Sequence, residues 1–138
     1  MKKSIFLAGL FLFFAGISNA QQKDYKVVFD ITSKDTLAHQ TLIRQATLIT
    51  QTNPDAQVEI VLFGQSLPLV LKDKSVVAPD VQKLLQNKNV SFKVCEVTMK
   101  RYNVDKAQLI SGVGTVPDGI YEIITKQKEG WGYIKVAN

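Results

Sequence analysis

The strongest constraint on the fold is a regular alternation of short apolar segments with amphipathic segments along the chain. Five apolar segments, rich in β-branched and aromatic residues, are predicted as strands: residues 26–32, 58–63, 90–95, 113–116 and 131–136. Strands that alternate with helices form βαβ units, which build a parallel sheet covered by helices on both faces. The sequence therefore predicts the α/β class, as a single three-layer α/β/α domain over residues 21–138.

The segments between these strands carry helix signals. Helices are predicted over residues 37–50, from Pro79 onward, over 96–102, and over 118–128 with Asp118 as the N-cap. In the last of these, Ile120, Ile123 and Ile124 lie along one side, together with Gln127. The only histidine, His39, falls in the first helix, where we expect it to be solvated.

Residues 1–20 have the three parts of a secretory signal. Lys2 and Lys3 form a basic start, an apolar run covers residues 5–17, and Ser18-Asn19-Ala20 ends the segment with small residues at the cleavage positions. The apolar run is shorter than the roughly 20 residues that span a bilayer. We therefore predict cleavage before Gln21, a periplasmic or secreted mature protein, and no stable membrane anchor.

Composition excludes several classes of function. Removal of Lys2 and Lys3 with the signal lowers the formal net charge from +5 to +3, and only Arg44 and Arg101 are arginines. Forked guanidinium donors, which dominate base and phosphate recognition, are therefore scarce, and nucleic-acid binding is not expected. One cysteine and one histidine exclude an internal disulfide and the usual zinc sites, so neither a metal nor a cofactor is predicted.

Three short motifs resemble exported members of the DsrE/DsrF-like family: KVVFDI at 26–31, VCE at 94–96 and KQKEGWGYI at 126–134. The resemblance covers about residues 25–137 and implies strand order 4-3-2-1-5 and a homotrimer or larger ring. Better-understood members carry persulfide sulfur on a cysteine in cytoplasmic sulfur relays. This chain departs from them in its signal segment and in the absence of a clear sulfur-relay cysteine motif after Cys95.

Ligands of open parallel sheets bind beyond the carboxyl ends of the strands. A strand-end cleft is therefore predicted that contains Asp30, Gly64, Gln65 and Glu96. Asp30 has an alternative role in a turn or a helix cap.

Cys95 is the predicted last residue of the third strand, and a helix follows it. The helix N-terminus and the cations of Lys100 and Arg101 would stabilise a thiolate, whereas the charge of Glu96 would oppose it. Lys100 and Arg101 would also steer an anionic sulfur species toward Cys95. Two functions stay open. One is a sulfur carrier or transferase that uses Cys95 and a donor or acceptor protein. The other is a non-catalytic oligomeric or small-ligand-binding module in which Cys95 only packs.

The predicted signal has a direct test. We expect exported protein to begin at Gln21, because a signal peptidase reads the small residues at positions 18 and 20. Intact-mass spectrometry of the exported material measures this, and a mass that includes residues 1–20 would contradict it.

Overall fold

The computed structural model describes residues 24–136, so the signal predicted over residues 1–20 lies outside the described part. The strands are β1 (Lys26–Ile31), β2 (Gln57–Leu62), β3 (Val90–Cys95), β4 (Gly114–Val116) and β5 (Gly132–Lys135). The helices are α1 (Thr36–Thr52), α2 (Ala78–Leu85), α3 (Glu96–Arg101) and α4 (Gly119–Lys128). All strand pairs are parallel, in the order β4-β3-β2-β1-β5. The α/β class and the strand order are therefore confirmed.

Local chemistry explains where the helices begin and end. The Asp35 carboxylate accepts a hydrogen bond from the backbone N–H of Leu37 at 2.9 Å, which caps α1. Asp118 caps α4 in the same way, through bonds from the N–H groups of Ile120 and Tyr121 at 2.8 and 3.0 Å. Proline in the first turn of α2 costs no hydrogen bond there.

One face of the sheet builds the main core. Alternate residues of β1, β2 and β3 pack against α1, α2 and Met99 of α3. The strand residues on this face are Val27, Phe29, Ile31, Val58, Ile60, Leu62, Val90, Phe92 and Val94. Because side chains alternate along a strand, the intervening residues project to the opposite face.

The opposite face is covered by α4, and this cover is thinner than the sequence predicts. Ile123 is buried there with Val28 and Val61, whereas Ile120 and Ile124 are exposed. All four residues of β5 are exposed as well. The expectation of a sheet buried on both faces is therefore wrong at the β5 edge, where the strand residues stay exposed to solvent.

This second face also buries a charged group. Glu59 of β2 is buried, and its Oε2 accepts a hydrogen bond from Ser91 Oγ at 3.1 Å and lies 3.5 Å from Lys126 Nζ. Burial raises the pKa of the Glu59 carboxyl, and the Lys126 ammonium partly opposes this rise. Lys126 in turn lies over the ring of Trp131, 4.7 Å from its centroid.

His39 is buried, so the expectation of a solvated histidine is wrong. It lies on the inner face of α1 beside Ala38, and its Nε2 donates a hydrogen bond to the Ser33 carbonyl at 2.9 Å. This bond gives the ring nitrogen Nε2 a hydrogen-bond partner where water does not reach it.

None of the helices within residues 24–136 is long and apolar enough to cross a membrane.

Candidate functional site

Cys95 is the last residue of β3 and also the N-cap residue of α3, as the sequence predicts. It is the one free cysteine, and it is only 6% exposed. Its side chain makes no capping hydrogen bond to α3. The thiol therefore lies at the start of α3 without a hydrogen bond to the backbone of that helix.

A second helix begins directly above Cys95. A methyl group placed on Gly119, the first residue of α4, would lie 3.2 Å from Cys95 Cβ and 3.2 Å from Val61 Cγ1. A side chain at position 119 would force these neighbours to shift by a few tenths of an ångström, so glycine favours the close approach. Cys95 is thus enclosed between the sheet and the first turn of α4, a contact that sequence analysis missed.

The three charged residues that were predicted to act on the Cys95 thiol all lie on α3. Lys100 and Arg101 occupy the exposed last turn of α3, about 8 Å along the helix axis from Cys95. Glu96 is turned toward β4: its Oε1 accepts a hydrogen bond from Thr115 Oγ1 at 2.7 Å and pairs with Lys106 Nζ at 3.1 Å. The Thr115 bond, helped by Lys106, holds the pKa of the Glu96 carboxyl below its usual value.

Gly64 and Gln65 form the turn that follows β2. Gly64 has a φ of +63°, the left-handed conformation that favours glycine, and its N–H donates to Thr98 Oγ1 at 3.3 Å. The N–H of Gln65 donates to the Thr32 carbonyl at 2.9 Å. This turn borders a cavity of about 370 Å³ that opens at the carboxyl end of the sheet.

Asp30 is buried inside β1, away from that cavity. Tyr133 Oη donates to Asp30 Oδ2 at 2.7 Å, and Lys135 Nζ donates to Oδ1 at 2.9 Å. The alternative that Asp30 caps a helix is therefore wrong, because Asp35 caps α1. The bond to Asp30 raises the pKa of the Tyr133 phenol to about 12, and desolvation adds to the rise.

The predicted cleft residues thus fall in three places. Gly64 and Gln65 line the cavity, Glu96 lies beside β4, and Asp30 lies on β1 beside β5. Sequence analysis also missed the partners of Asp30. A signal for them exists: Tyr133 and Lys135 alternate along the last predicted strand, and strand order 4-3-2-1-5 places that strand beside the first.

The family model described as the DsrE/DsrF-like family matches residues 26–136. The chain matches none of the curated proteins.

Several solved structures share the fold. The protein of unknown function MTH1491 from Methanobacterium thermoautotrophicum is 29% identical, with a TM-score of 0.76 over 81% of this chain and 99% of that one. The ychN protein from E. coli is 13% identical, with a TM-score of 0.67 over 81% and 98%. The protein of unknown function BT1422 from Bacteroides thetaiotaomicron is 18% identical, with a TM-score of 0.68 over 85% and 98%. The last two similarities concern the fold alone.

The Asp30 cluster generates a stability prediction. We expect Tyr133→Phe to lower the free energy of unfolding by about 1–2 kcal/mol at pH 7, because it removes a hydrogen bond to a buried carboxylate. The pKa of Tyr133 is raised in the folded state, so this contribution is present below pH 10 and is lost as pH rises toward about 12.

Urea unfolding at pH 7 and at higher pH measures both effects. Tyr102→Phe is the matched control, since Tyr102 is exposed after α3 and the removal of its hydroxyl should change stability little. An equal decrease in the free energy of unfolding in the two variants would contradict the assigned role of Tyr133.

Proposed function

The chain belongs to the DsrE/DsrF-like family, and we propose that it is a sulfur carrier that holds sulfane sulfur on Cys95 as a persulfide. The observation that carries this proposal is the position of Cys95, at the carboxyl end of β3 where both α3 and α4 begin. The partial positive charge of a helix N-terminus stabilises a thiolate or a persulfide anion, and at α4 the carboxylate of Asp118 offsets part of that charge.

The transfer step is a thiol–disulfide type of exchange. The Cys95 thiolate attacks the outer sulfur of a donor persulfide, a new S–S bond forms on Cys95, and the donor leaves as a thiolate. The reverse step passes the outer sulfur to an acceptor thiolate. No net oxidation or reduction takes place, so the reaction needs a donor or acceptor protein but neither a metal nor a redox cofactor.

A donor can reach Cys95 only if the part of α4 that contacts it moves away. The side chain is only 6% exposed, and the first turn of α4 covers it. We propose that this turn opens locally to admit the donor, since helix ends open at much lower cost than the whole fold. A persulfide also extends the side chain by an S–S bond of about 2 Å, which carries the reactive sulfur farther from the backbone.

The alternative is a non-catalytic oligomeric or ligand-binding module. The burial of Cys95 favours it, because free cysteine is often a packed core residue. The two functions differ in whether the folded protein exposes a reactive thiol.

Labelling of Cys95 separates them. We expect iodoacetamide to modify the folded protein near neutral pH, and a sulfane donor to add one sulfur atom, seen by intact-mass spectrometry. Asp118→Ala removes the cap of α4 and should speed labelling about fivefold, since a lost cap costs about 1 kcal/mol. Labelling only after denaturation would overturn the carrier function.

Two matched variants make this test specific. Asp35→Ala removes the equivalent cap from α1, on the other face of the sheet, and should leave the labelling rate unchanged. Asp118→Asn keeps a capping side chain but removes its charge. Labelling that is faster in Asp118→Ala than in Asp118→Asn is therefore caused by opening of the helix and not by the loss of a negative charge near the thiol. Equal acceleration by Asp118→Ala and Asp35→Ala would contradict access through α4.

We also propose that the carrier acts outside the cytoplasm as a homo-oligomer, with a trimer as the expected state. The signal-like residues 1–20 support export. Exposed apolar side chains on α4 and β5 support self-association: Ile120, Tyr121, Ile124, Tyr133 and Ile134. Ile120 and Ile124 share one face of α4, and a second copy would remove them from water.

The oligomer has its own test. Light scattering on the mature protein at tens of micromolar should give a trimer mass, and Ile124→Glu should shift the mass toward that of the monomer. Leu48→Glu, at a more exposed apolar position on α1, should leave the mass unchanged. A monomer mass for the unaltered protein would contradict the proposal.

A further inference from the structure

A cavity at the carboxyl end of the sheet combines an apolar floor with a polar rim. The floor is formed by Leu67, Pro68, Leu71 and Val104. The rim carries Lys34, Gln65, Lys74 and Tyr102, and all four side chains are exposed to solvent. At about 370 Å³ the cavity lies at the small end of the range for ligand sites, roughly 300–1,000 Å³.

The charge around this cavity has one sign. Lys34 and Lys74 line it, and no carboxylate does. Neither lysine forms an ion pair with any residue in the 24–136 range. The nearest acid in sequence to Lys34 is Asp35, whose carboxylate is already bonded to the N–H of Leu37. The rim therefore offers two ammonium groups to an anion that enters the cavity.

We propose that this cavity binds a small organic anion that consists of an apolar aromatic or branched aliphatic body and a carboxylate or sulfonate group. The apolar body packs on Leu67, Pro68 and Leu71, where the removal of the ligand's own apolar surface from water favours binding. The anionic group lies between Lys34 and Lys74, and the ring of Tyr102 closes one side.

The Gly64 turn gives the cavity its shape. A φ of +63° at Gly64 reverses the chain directly after β2, and a methyl group there would lie 3.3 Å from Thr32 Cβ. The turn is held by the Gly64–Thr98 and Gln65–Thr32 hydrogen bonds, so the wall exists before any ligand binds. A preformed wall lowers the entropy cost of binding.

This site is distinct from Cys95 and does not rest on the sulfur-carrier function. Cys95 faces Gly119 of α4 on one side of the sheet, whereas the cavity is lined by the segments that follow β1, β2 and α3. Cys95→Ser should therefore bind the anion as well as the unaltered protein does.

Two fluorescent probes of similar size test the proposal. Anilinonaphthalene sulfonate has an aromatic body and one anionic group, and N-phenylnaphthylamine has the same kind of body without the charge. We expect the sulfonate to bind the folded mature protein at least tenfold more tightly than the neutral probe. Amide shifts in NMR spectra on addition of the sulfonate should centre on Gly64 and Gln65.

Charge-neutral variants complete the test. The double variant Lys34→Gln with Lys74→Gln should weaken sulfonate binding at least tenfold and leave binding of the neutral probe unchanged. The control is Lys83→Gln with Lys88→Gln, which removes the same charge from exposed positions in and after α2. Equal sulfonate affinity in the two double variants, equal affinity of the two probes, or amide shifts centred on residues 120–124 would each overturn the proposal.

Discussion

The alternation of side chains along β1, β2 and β3 is the constraint on which the rest of the structure depends. One set packs with α1 and α2 in a continuous apolar core, and this core holds the sheet together. The other set faces α4 and includes Asp30, Glu59 and Cys95 beside the apolar Val28 and Val61. Stability is therefore concentrated on one face, and the buried carboxylates and the thiol are placed on the other.

This division explains how buried charges are tolerated. Asp30 and Glu59 would be costly in an apolar core, but each meets a lysine: Lys135 for Asp30 and Lys126 for Glu59. Because β5 and α4 provide those lysines, the thinner layer is held partly by polar contacts. The same layer contains the first turn of α4, so the covering of Cys95 depends on the cap at Asp118.

The fold was largely predictable, whereas the site was predictable only in part. Strand periodicity predicts five strands, and Cys95 is the last residue of the third in both sequence and structure. The strand order came from the family resemblance and is confirmed. His39 was misjudged because periodicity treats histidine as polar, although its position beside Ala38 and Leu42 lies on the buried face of α1.

By itself the sequence determined the strands and helices and the Asp118 cap of α4, because a cap joins residues two or three positions apart and depends on little else. Only the tertiary structure decided which distant groups meet. Tyr133 and Lys135 reach Asp30 across more than 100 residues, and Gly119 of α4 lies over Cys95. The cavity beside Gly64 likewise joins segments from residue 34 to residue 104. Such contacts follow from how each helix crosses and packs on the twisted sheet, and that geometry is not encoded in any one segment.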